Sequence, residues 1–291
     1  MDIRAILMGL VFALAWSSAF TSARIIVAEA PPLLILSLRF LISGLIGCGI
    51  ALALGQTLRL TRAQWRATVI FGVCQNAIYL GLNFVAMQWV EASLAAIIAS
   101  TMPLLVALAG WVLFRDRVSS LGVAGLIAGT LGVALIMGAR LTGGADVLGI
   151  VFCVAGVVAL TTATLALRTA SSGGNMLMVV GLQMLVGAAV LVVPGVALET
   201  WDVTWSPRLI AAFVYTTLVP GLIATLIWFW LVGRIGAVKG ATFHFLNPFF
   251  GVAIAALLLG ERLSLIDVIG VTIIAAGILA VQLSKQSPTG T

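Results

Sequence analysis

Charge is what this 291-residue sequence has least of. Asp, Glu, Lys and Arg make up 8% of the chain, and hydrophobic residues 62%. A soluble domain carries about 25% and about 45–50% respectively. The scarcity excludes an ordinary water-soluble globule, and the chain reads as an all-α integral membrane protein. The formal net charge of +6 is not a nucleic-acid signature, because the 15 Lys and Arg are scattered rather than clustered. Cysteine is scarce too. Cys48, Cys74 and Cys153 lie inside apolar runs with no C-x-x-C spacing and no neighbouring His, which makes them packing residues. The single histidine, His244, cannot build a His-based zinc site, and no acid stands near it in sequence. No catalytic triad, metal site or cofactor motif is therefore expected. There is no Walker A motif, hence no self-contained pump. There is no selectivity filter and no Arg-rich helix, which argues against an ion channel. No acid sits in mid-span: Glu91, Asp116, Glu261 and Asp267 all fall at expected helix ends. An ion-driven carrier normally needs a buried carboxylate. Either His244 carries a proton, or a carrier built this way is a facilitator or exchanger.

What the chain does have is apolar length and a repeat. Ten spans are expected, at 4–26, 33–54, 66–88, 92–113, 119–138, 147–168, 175–196, 208–232, 239–259 and 264–284. Ala28-Glu29-Ala30 resembles a signal-peptidase site. Pro31 follows it, however, and the preceding apolar stretch is too long for a signal peptide. The first span is therefore expected to be retained. The stretch from Pro103 to Gly132 recurs from Pro248 to Gly277. At an offset of 145 (248 − 103), Asp116-Arg117 falls on Glu261-Arg262, Gly125 on Gly270 and Gly132 on Gly277. Five spans per half is odd, so the second half must cross in the opposite sense. The expected architecture is two inverted five-helix repeats, residues 1–140 and 145–285, with a disordered cytoplasmic tail at 286–291.

With the N-terminus inside, ten basic residues fall on the inner side: Arg4, Arg59, Arg62, Arg66, Arg115, Arg117, Arg168, Arg234, Lys239 and Lys285. Four fall outside: Arg24, Arg140, Arg208 and Arg262. The bias puts both termini in the cytoplasm. Trp65, Trp201 and Trp205 stand at expected interfaces. Gly122, Gly125, Gly129 and Gly132 form a small-residue face suited to close helix approach, within a protomer or between protomers. The oligomeric state stays open, a monomer included.

Polar groups in a bilayer need a reason. Asn76, Tyr79 and Asn83 recur at i, i+3 and i+7 in the third span. One amide is adequate as interhelical glue; three hydrogen-bonding groups on one stripe favour a wet cavity. In the ninth span His244 and Asn247 precede Pro248; in the fourth, Ser100 and Thr101 precede Pro103. Proline inside a span removes a backbone bond, and Pro103 and Pro248 are read as matched hinges. Tyr215 and Trp228 flank Pro220 in the eighth span, and Trp16 stands in the first. Trp16, Asn76, Tyr79, Asn83, Tyr215, Trp228, His244 and Asn247 form the expected substrate path, suited to a small amphipathic solute. Arg39, the one charge well inside a span, either grips a substrate carboxylate or braces its helix by snorkelling or bonding carbonyls. Asp116-Arg117 and Glu261-Arg262 are expected as exposed helix-end pairs.

Ala15-Trp16-Ser17-Ser18-Ala19-Phe20, Leu38-Arg39-Phe40, Pro103 with Arg115-Asp116-Arg117, and Pro248 with Gly260-Glu261-Arg262 together resemble the EamA family of the drug/metabolite transporter superfamily, over residues 4–284. Asp116 departs from the family's usual Glu. The resemblance implies inverted five-helix repeats, a bacterial inner-membrane location and metabolite export. Within the family the sequence is most similar to exporters of aromatic and other neutral amino acids. It also favours the brace for Arg39, a residue common in the family. The implied partners are a small-molecule substrate and the lipid bilayer. Rivals are a multidrug, nucleobase or sugar exporter of the same fold, for which a multidrug carrier would be expected to offer a buried acid; a lipid-modifying membrane enzyme, which needs clustered Asp, His or Glu; and a scaffold, which leaves the polar stripe unexplained.

Overall fold

The computed structural model describes residues 3–115, 119–166, 175–235 and 242–284. Ten helical stretches occur among them, and no strand. We number them α1 (Ile3–Val27), α2 (Pro32–Ala53), α3 (Arg62–Ala86), α4 (Ala92–Leu113), α5 (Ser120–Thr142), α6 (Val147–Ala166), α7 (Met176–Leu198), α8 (Pro207–Trp228, running on to Ile235), α9 (Phe243–Leu259) and α10 (Leu265–Ser284). Nine are long and apolar enough to cross a bilayer; α9 is shorter. In hydrocarbon every backbone group must be satisfied within its segment, which leaves helices as the only solution for such runs. Asp116, Arg117, Arg168, Lys239, Lys285 and the expected tail at 286–291 lie outside the described residues.

Helix α5 runs four residues past its expected end, to Thr142, and two helix starts differ from expectation. Helix α3 begins at Arg62 rather than 66, because Thr61 and Gln64 form a reciprocal capping box: Gln64 N–H donates to Thr61 Oγ1 and Thr61 N–H to Gln64 Oε1. Regular helix in α9 begins only at Asn247, after a 3₁₀ turn over Thr242–Leu246. The hinge prolines also differ in local role. Helix α4 breaks at Thr101 and restarts at Met102, and Pro103 and Pro248 each occupy the first turn of a fresh segment. There a missing N–H costs nothing, so neither proline removes a bond from a continuous helix.

The offset of 145 recurs in backbone boundaries. Helix α3 follows the N-cap Thr61 and α8 the N-cap Ser206. Both become π-helical, over Gly72–Tyr79 and Thr217–Ile223. The second segments of α4 and α9 run Met102–Phe114 and Asn247–Leu259, and stop at left-handed Arg115 (φ 56°) and Gly260 (φ 70°). Each pair is 145 residues apart (206 − 61, 217 − 72, 247 − 102, 260 − 115). Glycine takes that φ without strain, arginine at some cost.

Packing separates two units, each drawing on both sequence halves. The first holds Met1–Thr21, Val90–Ile150 and Ile223–Thr291; the second holds Ser22–Trp89 and Val151–Leu222. In the first, α5 and α10 cross antiparallel through glycine. A Cβ on Gly125 would fall 2.7 Å from the Gly277 carbonyl, and one on Gly132 would fall 3.0 Å from the Gly270 carbonyl. The contacts are reciprocal, since 125 + 145 is 270 and 132 + 145 is 277. The glycine face thus packs within the protomer. Arg140, in the last turn of α5, bridges Asp267 at 3.0 Å and Glu91 at 2.6 Å. The Glu261 carboxylate does not pair with Arg262. It accepts the N–H groups of Ala92 and Ser93 at 2.8 and 2.9 Å, capping α4, because orphan amides at a helix start outcompete a solvated guanidinium.

In the second unit α2 and α7 cross antiparallel, and each carries the other's cap. Glu199 accepts from Leu33 N (2.9 Å) and Leu34 N (2.9 Å), and Gln56 Oε1 accepts from Met178 N at 3.0 Å. Midway, Ser37 Oγ donates to the Ala188 carbonyl at 2.9 Å.

Candidate functional site

The first unit gathers four of the eight expected path residues. Helix α1 supplies Trp16, the last described stretch of α8 supplies Trp228, and the 3₁₀ turn and start of α9 supply His244 and Asn247. The 3₁₀ turn brings this about. Phe243 packs directly over Gly9, where a Cβ would fall 2.3 Å from its ring. Phe243 also joins Ala5 and Leu231 in a buried core. The neighbouring His244 ring thereby lies against Phe12 (centroids 5.4 Å, interplanar 86°) and Trp228 (5.3 Å, 62°). Phe12 closes the group, 4.9 Å from Trp228 and 5.7 Å from Trp16. Edge-to-face aromatic pairs of this kind are each worth about 0.5–1.5 kcal/mol beyond their burial.

Hydrogen bonds fix the amide. Asn247 Nδ2 lies 3.0 Å from His244 Nδ1, so in this orientation the amide donates and Nδ1 accepts, leaving the ring proton on Nε2. Ser17 Oγ donates to the Asn247 backbone carbonyl at 3.2 Å. Among the described residues Asn247 Oδ1 is buried without a partner, as is Asn83 Oδ1 in the second unit. A buried acceptor left open is costly, and the one at Asn247 belongs to the amide that is bonded to the His244 ring. Rings and an open carbonyl oxygen together suit an ammonium or amide group carried on an apolar body. No acid joins the cluster, and no group of three or more potential metal ligands occurs among the described residues.

The other four expected residues belong to the second unit. Asn76, Tyr79 and Asn83 are 3%, 2% and 1% exposed. Asn76 and Tyr79 lie in the π segment and Asn83 just after it; Asn76 Nδ2 donates to the Gln183 carbonyl of α7 at 2.9 Å. Asn83 Nδ2 donates to Tyr79 O at 2.8 Å, and Gly156 of α6 packs onto both. In this conformation the stripe is sealed between helices. Tyr215 is 40% exposed, on the first half of α8. Sequence reasoning missed Phe12, whose position one turn before Trp16 was the available signal. Ser17 entered the sequence reading only as part of the Ala15–Phe20 motif. A cavity of about 600 Å³ lies elsewhere in the second unit, lined by Glu29, Glu199 and Asp202 among others. Glu199 caps α2, and Glu29 accepts from Ser206 Oγ. Two of its three acids are thus committed to holding helix ends.

The sequence matches the EamA-like transporter family twice, over residues 3–138 and again over 147–283. The chain belongs to that family. Curated relatives agree in kind. The uncharacterized transporter YvbV of Bacillus subtilis is 25% identical, covering 94% of this chain and 89% of its own. The uncharacterized inner membrane transporter YedA of Escherichia coli K12 is 26% identical, covering 96% and 91%. Protein PecM of Dickeya dadantii is 24% identical, covering 80% and 79%. A crystal structure at 22% identity superposes with a TM-score of 0.69, covering 99% of this chain and 100% of that one, and speaks for the fold. This chain is a multi-pass membrane transporter of the EamA family, and the relatives' names point to transport rather than catalysis.

Proposed function

We propose that the protein is a secondary carrier that exports small amphipathic metabolites, neutral and especially aromatic amino acids by preference, by alternating access. The carrying observation is the Phe12–Trp16–Trp228–His244 cluster, with Asn247 bonded to the His244 ring through Nδ2 and its own Oδ1 buried without a partner among the described residues. An aromatic side chain stacks on the rings, while an ammonium group meets the amide oxygen and the π faces. Two inverted five-helix repeats with both termini cytoplasmic are part of the reading. Supporting them are the shared offset of 145, the reciprocal antiparallel crossing of α5 with α10, the double family match and the basic-residue bias. YedA's designation as an inner membrane transporter supports the same compartment.

The segment starts at Pro103 and Pro248 would serve as hinges, because each joins two short helical pieces rather than bending one. Asn76, Tyr79 and Asn83 enter the path only if α6 and α7 part from α3. With no acid in the cluster and Nδ1 of His244 already accepting a bond, exchange or facilitation is favoured over proton coupling. A multidrug carrier of cations is disfavoured by the same absence.

The test is labelled phenylalanine flux in liposomes holding the purified protein, with and without a pH gradient and with unlabelled amino acid on the far side. Flux accelerated by amino acid on the far side and indifferent to pH is expected. Flux that tracks the pH gradient would transfer coupling to His244. Absence of flux for every amino acid, from folded protein, overturns the substrate class.

A further inference from the structure

Arg39 is the eighth residue of α2, about 10 Å along the helix from its start at 1.5 Å per residue. It is 5% exposed, so it does not snorkel. Among the described residues its guanidinium makes no hydrogen bond and no ion pair, and Nε is buried without a partner. This removes the carbonyl brace. The Phe40 ring lies beneath this side chain, its centroid 4.6 Å from the guanidinium carbon. A π face offsets part of the cost of a buried cation but supplies no acceptor. One turn on, Ser43 is fully buried and its Oγ also has no partner. A spacing of four places both on one face of α2. The facing backbone is small: a Cβ on Gly221, next to Pro220 in the π segment of α8, would fall 3.8 Å from Ser43 Oγ.

We infer that Arg39 and Ser43 form a carboxylate-binding subsite for the transported solute. A forked cation with five donors and no acid is matched by a planar anion with two acceptors. The Ser43 hydroxyl adds one neutral donor, and the residue facing it on α8, Gly221, has no side chain to compete for it. The cation is then charge-balanced only while substrate is bound, which couples helix α2 to occupancy. The inference rests on the carrier reading, and it narrows the solutes to carboxylate bearers.

Three probes on one skeleton test it: phenylalanine, phenethylamine without the carboxylate, and 3-phenylpropionate without the ammonium. Thermal stabilisation of the purified full chain in chloride-free buffer is measured beside flux in liposomes. The wild type should respond to phenylalanine and 3-phenylpropionate. Arg39→Gln should weaken both about tenfold or more while leaving any phenethylamine response within about twofold. Arg39→Lys should fall between, since a point charge replaces a planar fork. If Arg39→Gln does not fold, Ser43→Ala is the second variant, with a smaller loss confined to the two carboxylates. An unchanged preference for phenylalanine over phenethylamine in these variants overturns the subsite. So does stabilisation by chloride alone that 3-phenylpropionate does not compete away, and so does a wild type that responds to neither carboxylate. Response to 3-phenylpropionate with none to any amino acid would instead sustain the subsite and sink the amino-acid reading.

Discussion

Helices α3 and α8 share a frame and differ in what hangs on it. Both open on a hydroxyl N-cap, Thr61 and Ser206, and both turn π-helical ten residues after their first residue. In α3 the widened turn carries Asn76 and Tyr79, which lock against α6 and α7. In α8 it carries Pro220 and Gly221, and the helix goes on to place Trp228 against His244. The backbone irregularity, where the ladder is locally weak, recurs at the same offset in both helices, while the side chains on it differ: one set packs between helices and the other leads on to the aromatic cluster.

The comparison breaks most sharply at the glycines, which belong to the shared frame. Gly277→Ala places a Cβ 2.6 Å from the Gly125 carbonyl, and its counterpart Gly132→Ala one 3.0 Å from the Gly270 carbonyl. Both should destabilise by about 1–3 kcal/mol. Both should lower the melting temperature in detergent, whereas Gly138→Ala, with nothing within 4 Å, should not. A large effect at only one of the pair would mean the frame is not shared.

The next contrast is between the two amides. Asn76→Ala should lower the melting temperature, at about 0.6–1.7 kcal/mol for a hydrogen bond in a membrane, and leave flux per folded molecule nearly intact. Asn247→Ala should do the reverse, cutting flux about tenfold for a lost polar contact to solute. Flux assays normalised to folded protein decide it, and equal flux losses would return α3 to the path. The smallest effect belongs to the caps. Thr61→Ala and Ser206→Ala should each cost about 1 kcal/mol. Ser206 should cost more, because its hydroxyl also donates to Glu29.

Much of the frame was legible beforehand. Ten apolar runs, the offset of 145 and the glycine face of α5 are periodic signals, and the structure keeps them. The π segments were not legible, because an inserted residue leaves no mark on a 3.6-residue pattern in a chain apolar all round. Nor did periodicity say what faced Asn76: a stripe at i, i+3 and i+7 looks alike against a cavity and against a carbonyl such as that of Gln183. Glu261 next to Arg262 reads as an ion pair only while the amides of Ala92 and Ser93, 169 and 168 residues away, are unknown. At the cluster, His244 and Asn247 were legible from their cost in lipid, and Trp16 and Trp228 as rings suited to an amphipathic solute. Phe12 escaped because phenylalanine in an apolar run carries no such cost.

The exchanged caps of α2 and α7 have a consequence for the chain's continuity. Gln56 of the first half closes the start of α7, Glu199 of the second half closes the start of α2, and Glu261 closes the start of α4. Each half therefore holds pieces that finish the other, and neither is complete alone. Cutting the chain at Gly143 and Gly144 would leave each piece with a helix start whose cap sits on the other, so that neither piece could close all its own helix ends.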